Sequence, residues 1–231
     1  MIKTLATAAV ALALAALGAR PATADPAATE AFTATISVGN QTYTSISLGM
    51  DFEVIDPHGI TIRGLGVFDD NGDGLLTSHY VRIYDLLDQS VVTSMNIEAG
   101  QGALLGGYRY VSIPQVIALP FGFQGTIVAS YGIGNQDTAG NTHGFLNDVP
   151  PPIFNGGASI INIGQSRYSL NSYAFPETLD NWYGGGPANR YQAGSFQYTA
   201  NPEPGTMVLL GSVLAGAAWR RRKSRKAAKA S

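Results

Sequence analysis

Apolar and polar side chains alternate with a period of two residues over most of the chain between Ala31 and Ala200. Such alternation is typical of β-strands that bury one face. No stretch of comparable length shows the period of an amphipathic helix. The strands that this pattern predicts are 32–38, 42–48, 52–55, 60–68, 79–86, 91–97, 108–113, 125–131, 159–163 and 196–200.

Glycine, asparagine, aspartate and proline separate these short strands. Many short strands with such turns predict an all-β fold, an antiparallel β-sandwich of the jelly-roll or immunoglobulin-like kind. Two stretches, 132–157 and 171–190, are too polar and too rich in glycine and proline for regular structure. We expect them to be long surface loops, the places where a rigid sandwich usually carries its binding function.

Residues 1–24 have the three parts of a secretory signal peptide: a charged start at Lys3, an apolar run and a small-residue end from Ala22 to Ala24. The apolar run is shorter than the roughly 20 residues that cross a bilayer, so a permanent N-terminal anchor is disfavoured. The sequence therefore predicts cleavage by signal peptidase before Asp25.

The other end of the chain reads as a membrane segment with a basic end. Residues 205–219 carry no charge, and seven lysines and arginines follow in 220–229 without an acid. This asymmetry is typical of a stop-transfer signal that obeys the positive-inside rule. The apolar segment is short for a bilayer, but the aliphatic parts of the arginine side chains can lie along the membrane edge while their charged groups stay in water. We predict a C-terminal transmembrane helix that anchors the protein temporarily. The alternatives are an ordinary tail anchor or a buried core helix, which would show a polar face.

The tripeptide Pro202-Glu203-Pro204 directly precedes this segment. Together the three parts resemble the PEP-CTERM sorting domain of Gram-negative bacteria. The resemblance implies that an exosortase-type membrane peptidase recognises the tripeptide and releases or re-anchors the protein beyond the inner membrane. The prolines suit this role because they keep the segment extended and outside the helix. The predicted organisation is a signal peptide (1–24), a β-sandwich ectodomain (25–200) and a sorting tail (201–231).

Charge is distributed unevenly along the chain. Residues 25–204 contain five arginines, no lysine and all 16 acidic residues, a formal charge of −11. This acidity argues against nucleic acid or an anionic polymer as a partner and favours cations or neutral sugars. The absence of cysteine excludes disulfides and thiolate metal sites.

The stretch from Phe52 to Ser130 also resembles a secreted bacterial β-sandwich domain family of unknown function. Domains of that family often accompany carbohydrate-active modules. The resemblance implies the same fold and specifies no reaction.

Asp69, Asn71, Asp73 and Gly74 form the pattern D-x-N-x-D-G, the first half of a calcium-binding loop. The twelfth position of such a loop is Tyr80 here, where an EF-hand has a bidentate glutamate. The same residues also suit a solvated hairpin turn without metal. Calcium bound by Asp69, Asn71 and Asp73 is therefore one of two interpretations.

Trp182 lies with Asp180 and Tyr183 in the second predicted loop. Exposed aromatic rings beside polar groups can stack on sugar faces and bind their hydroxyls, which predicts a carbohydrate site at these three residues. The alternative is that Trp182 packs under the loop and closes the end of the sandwich.

No pattern in the chain indicates a catalytic site. The three histidines lack the spacing of a local zinc motif, no G-x-S-x-G elbow is present, and no pair of glutamates is patterned for glycoside hydrolysis. We expect a non-enzymatic, exosortase-processed protein of the cell surface or of an exopolysaccharide or biofilm matrix. The alternatives are a carbohydrate-binding module, with or without calcium, and then a secreted hydrolase.

Overall fold

The computed structural model describes residues 27–41, 45–132, 136–141, 153–154, 161–180 and 190–202. Within these ranges the chain forms fifteen strands and one short 3-10 helix, Asp70–Gly72. The strands are β1 (Thr29–Glu30), β2 (Phe32–Thr33), β3 (Ile46–Val54), β4 (Ile60–Phe68), β5 (His79–Asp85), β6 (Val91–Ile97), β7 (Ala103–Leu105), β8 (Tyr108–Leu119), β9 (Gln124–Tyr131), β10 (Gly140–Asn141), β11 (Ile153–Phe154), β12 (Ile161–Ser169), β13 (Thr178–Leu179), β14 (Tyr191–Gln192) and β15 (Gly194–Ala200).

Two antiparallel sheets form a sandwich. One has the strand order β1-β15-β4-β8-β7 and the other β13-β12-β3-β9-β5-β6, with the small pairs β10-β14 and β11-β2 beside them. The inner faces meet in a single apolar core, where the rings of Phe52 on β3 and Phe196 on β15 lie 4.9 Å apart. The all-β sandwich predicted from the sequence is thus confirmed, whereas the finer choice between jelly-roll and immunoglobulin-like topology stays a prediction.

The strands 60–68 and 91–97 have the predicted bounds, but others need correction, and the predicted strand 32–38 is limited to Phe32–Thr33. Residues 46–48 and 52–54, predicted to lie in two separate strands, belong to the single strand β3, in which the intervening Gly49 and Asp51 are also buried. Strand β8 continues beyond Pro114 to Leu119. A proline lacks the N–H that a sheet ladder needs, and a register shift at this point of β8 accommodates it.

The connections place two groups of loops at opposite ends of the sandwich. Turns 55–59, 86–90 and 120–123 lie at one end, together with residues 27–28 and 201–202; we call this the terminal end. The segments before β3 and β5 and after β6, β9 and β12 lie at the other, distal end. The nine residues of strand β3 span about 30 Å between the two ends.

Candidate functional site

The last described residues attach the C-terminal tail closely to the terminal end. The backbone N–H of Asn201 donates to the carbonyl of Gly59 at 3.2 Å, and its side-chain amide donates to the carbonyl of His58 at 2.9 Å. The hydroxyl of Thr61 donates to the amide oxygen of Asn201 at 2.7 Å. Pro202 follows directly and is exposed. The tripeptide predicted as the sorting signal therefore begins one residue after an anchored position.

Several sequence predictions lie outside the described residues. These are the cleavage-site residues Ala22, Ala24 and Asp25, the remainder of the tripeptide (Glu203 and Pro204), and the membrane segment 205–219. Within the described ranges, no helix has the length and apolar character of a membrane span.

The distal end holds an open cleft of about 680 Å³. Its described walls are predominantly polar and include one carboxylate, that of Glu98. The residues that line it are Ser45, Leu76, Thr77, Ser78, Glu98, Ala99, Gly132, Asn171, Ser172 and Tyr173. Leu76 and Tyr173 contribute apolar surface, with exposed fractions of 56% and 72%. A cleft with an exposed aromatic ring and several hydroxyl and amide groups has the composition of a sugar-binding surface.

A short segment that follows β12 holds Tyr173 at the rim of this cleft. The side chain of Asn171 accepts a hydrogen bond from the N–H of Tyr173 at 3.0 Å, and its carbonyl accepts one from the hydroxyl of Ser47. The Tyr173 ring lies 5.9 Å from the guanidinium carbon of Arg82, which also lies 4.1 Å above the ring of Tyr80. These contacts hold the backbone of the segment and leave the Tyr173 ring exposed, so less of the backbone has to be ordered on binding.

Asp180, one of the three residues predicted to bind a carbohydrate, makes contacts within the fold. Asp180 is buried, and its carboxylate forms a hydrogen-bonded ion pair with Arg190. The same carboxylate accepts a hydrogen bond from the hydroxyl of Tyr191 at 2.6 Å. Trp182 and Tyr183, the other two residues of the predicted carbohydrate site, lie outside the described residues. The contacts of Asp180 support a structural role in joining the two ends of the segment 181–189.

The three predicted calcium ligands have different surroundings. The side chain of Asp69 is buried, with one carboxylate oxygen 2.6 Å from Nε of Arg109 and the other accepting from the N–H of Gly74 at 3.3 Å. Asn71 and Asp73 are exposed, and Asn71 has a φ of +69° inside the 3-10 turn. No metal-binding group of three or more histidine or acidic residues occurs in the part of the chain that the structure describes. The geometry therefore favours the turn interpretation.

We expect millimolar calcium, or a chelator, to leave the melting temperature of the purified protein unchanged, because Arg109 already neutralises Asp69. Differential scanning calorimetry measures this. A calcium-dependent rise in melting temperature that is lost in the Asp73→Asn variant would instead establish the ion site.

A buried polar network lies behind the distal cleft, and the sequence patterns did not reveal it. One carboxylate oxygen of Asp137 lies 3.0 Å from Nε2 of His79. The same oxygen accepts two hydrogen bonds from Thr77, one from the hydroxyl at 2.9 Å and one from the backbone N–H at 3.0 Å. The N–H of Leu76 donates to the same carboxylate at 3.1 Å. Both the His79 and the Asp137 side chains are essentially inaccessible to solvent. The only sequence signal was the polar pair Thr77 and His79 at the start of a strand.

Burial alone would raise the pKa of Asp137. The hydrogen bonds from His79, from the Leu76 N–H and from Thr77 outweigh that effect and lower the pKa to about 2. On the other side of the ring, Nδ1 of His79 faces the carbonyl oxygen of Ser130 at 3.3 Å. Two oxygen atoms therefore flank the buried ring of His79. Asp137 thus anchors the segment 136–141 to the start of β5.

Comparison with known proteins gave one match. The family model for the PEP-CTERM protein-sorting motif matches residues 202–223. Neither the curated proteins nor the solved structures contain a significant match to the chain. The motif indicates a secreted protein of Gram-negative bacteria that an exosortase, a membrane enzyme, processes. The similarity of residues 52–130 to a secreted sandwich family stays a prediction.

Proposed function

We propose that this chain is a non-catalytic protein of the cell surface or exopolysaccharide matrix. A signal peptidase and an exosortase process it at its two ends, and the inner membrane anchors it only transiently. The observation that carries the proposal is the sorting motif, which begins at Pro202, directly after the last strand. The acidic, lysine-free body suits an extracellular location, because its charge keeps it soluble.

The test is mass spectrometry of the mature protein, combined with fractionation of the native host. We expect a chain that begins at Asp25 and lacks the basic end of the tail, found mainly outside the inner membrane. An intact precursor from Met1 to Ser231 in the mature fraction would contradict the processing scheme.

The polar network supports a non-catalytic role. A nucleophile needs a base that accepts its proton, as histidine does in a hydrolase triad. Here the hydroxyl of Thr77 and the Nε2 of His79 both approach the same oxygen of Asp137. The hydroxyl of Thr77 therefore donates its hydrogen bond to a carboxylate that is a weak base, since the pKa of Asp137 is about 2. Glycoside hydrolysis needs two carboxylates, and Glu98 is the one carboxylate among the described lining residues of the cleft.

The distal cleft favours a second function, the binding of a neutral polysaccharide. The cleft opens at the end of the sandwich opposite the tail, so it faces away from the membrane while the tail is anchored. Its exposed Tyr173 ring can stack on a sugar face, and the side chains of Ser45, Asn171 and Ser172 can bind hydroxyls. Three of the lining residues, 171–173, belong to the predicted 171–190 loop, and none of the lining residues is one of the predicted Asp180, Trp182 and Tyr183.

We expect Tyr173→Ala to weaken retention of the protein on the host's exopolysaccharide about tenfold, which corresponds to about 1.4 kcal/mol. The loss follows from the missing stacking surface, and the melting temperature should change little because the ring is 72% exposed. Affinity electrophoresis in gels that contain the polysaccharide measures retention. Phe121→Ala, which removes an exposed ring at the opposite end, is the matched control and should bind like the wild type. Equal retention of both variants would argue against a sugar site at this cleft.

A further inference from the structure

Both ends of the described chain leave the sandwich at the terminal end. Strand β1 pairs antiparallel with β15, and Thr29 lies opposite Tyr198. The predicted cleavage site before Asp25 is therefore only a few residues from the end at which Pro202 emerges. The predicted membrane segment begins at Gly205, three positions after Pro202, and three residue steps span about 10 Å at most. An anchored tail thus holds the terminal end against the membrane surface.

A continuous series of hydrogen bonds connects this exit to the turns beside it. Asn201 bonds to the turn 55–59, as described above. Residues 122 and 123 exchange backbone hydrogen bonds with Val54, at 2.8 and 2.9 Å. The N–H of Leu86, at the start of turn 86–90, donates to the carbonyl of Gln124 at 3.0 Å. The three turns therefore form one rigid surface around the base of the tail.

Two large apolar side chains project from this surface. Phe121 is 63% exposed and follows Pro120 in a tight turn, where the N–H of Phe123 bonds to the Pro120 carbonyl and Gly122 has a φ of +78°. Such a turn places its second residue at the tip. Leu87 is 93% exposed in turn 86–90, and the carboxylate of Asp85 accepts a hydrogen bond from its N–H at 2.8 Å. Backbone geometry, rather than packing, holds both side chains outward.

We infer that Phe121 and Leu87 insert into the lipid interface of the membrane while the tail is anchored, and so orient the sandwich with its distal cleft outward. This inference rests on the proposed membrane anchoring of the tail. Aromatic and leucine side chains are the groups that interfacial segments place at the headgroup boundary. Because the tail holds the surface at a high effective concentration near the bilayer, two side chains are sufficient for a contact that a free domain would not maintain.

Two observations favour lipid as the partner. The turns 55–59, 86–90 and 120–123 contain no lysine or arginine and two carboxylates, Asp56 and Asp88, so the contact cannot come from attraction to anionic headgroups and depends on the apolar side chains. Both side chains are mostly exposed, at 63% and 93%, and each extends from a backbone turn, which suits insertion into a fluid, deformable partner.

The absence of cysteine permits a direct test. Single cysteines are introduced at Phe121, Leu87, Leu76 and Val213 of the chain that retains its tail, and each is labelled with an environment-sensitive fluorophore. Leu76 is the matched control, an exposed leucine (56%) at the distal end. Val213 lies within the predicted membrane segment and reports whether the tail is inserted. The labelled proteins are reconstituted into phosphatidylethanolamine and phosphatidylglycerol vesicles that contain brominated lipid.

We expect bromolipid to quench the labels at positions 121 and 87 several-fold more strongly than the label at 76, and to quench the label at 213 most strongly. A deep label at 213 with equal, weak quenching at 121, 87 and 76 would overturn the inference and leave the anchoring intact. An unquenched label at 213 would contradict the anchoring and the inference together. Protection of position 121 that appears only when an exosortase is reconstituted would identify a protein contact and overturn the lipid assignment. Melting curves of the unlabelled variants confirm that all four are folded.

Discussion

A chain in which Pro202, Glu203 and Pro204 are all replaced with alanine should stay at the inner membrane with its tail intact. We expect the released fraction to fall by about a hundredfold. An exosortase site that hydrogen-bonds the carboxylate of Glu203 would strongly reject a substrate that lacks this carboxylate. Loss of the two prolines also lets the segment adopt helical structure and removes the extended form that a peptidase can bind. Immunoblots of membrane and extracellular fractions from a host that contains an exosortase measure the effect.

Two controls separate recognition from folding. Deletion of residues 226–231 keeps the tripeptide, the apolar segment and most of the basic cluster, so its release should equal that of the wild type. The triple-alanine variant should melt at the wild-type temperature, because the Asn201 contacts that end the fold are unchanged. Normal release of the triple-alanine variant would show that the tripeptide is not the recognised signal.

Removal of the Asp137 carboxylate should strongly destabilise the sandwich. In the Asp137→Ala variant, the buried His79 ring and the donors of Leu76 and Thr77 lose their acceptor. A buried donor that loses its acceptor typically costs about 1–3 kcal/mol, and here several donors share one acceptor. Urea unfolding followed by tryptophan fluorescence measures the free energy of unfolding. Asp73→Asn, at an exposed acidic residue, should change it by less than about 0.5 kcal/mol.

The carboxylate of Asp137 also makes the free energy of unfolding depend on pH. The pKa of Asp137 is about 2 in the folded protein, below the ordinary value of 3.8 that applies when the chain is unfolded. The ionised group therefore stabilises the fold fully above about pH 5, and the contribution disappears as the pH falls towards 2. A difference of this size corresponds to about 2 kcal/mol. The gap in unfolding free energy between wild type and Asp137→Asn should narrow by that amount over this range, and a constant gap would contradict the role of Asp137.

Much of the sandwich could be predicted because the signal is local. Strands 60–68 and 91–97 have the predicted bounds, since alternation with a period of two directly reflects which side chains meet the core. The sorting tail could also be identified from the sequence alone, because its tripeptide, apolar segment and basic cluster are contiguous. The predicted strand 108–113 ended too early, because proline usually interrupts a strand. Here a register shift between β8 and its neighbour β4 accommodates Pro114, and the sequence of β8 alone does not show that shift.

The polar sites show the limit of local patterns. Asp137 lies in a glycine-rich stretch predicted as a surface loop, yet it is buried against His79, 58 residues earlier in the chain. Asp180, predicted as a sugar ligand, pairs with Arg190. Asp69, predicted as either a calcium ligand or a turn residue, pairs with Arg109 on β8. A carboxylate's partner depends on which strands lie side by side, and its own neighbours in sequence do not specify that.

The sequence by itself determined that this is an all-β, acidic body with an exosortase-type sorting tail, because strand periodicity, net charge and a contiguous motif are properties of neighbouring residues. Only the tertiary structure decided that both ends leave at one end of the sandwich, that Phe121 and Leu87 project beside them, and that Tyr173 lines a cleft at the other end. These relations join residues far apart in the chain, and only strand pairing and packing bring such residues together.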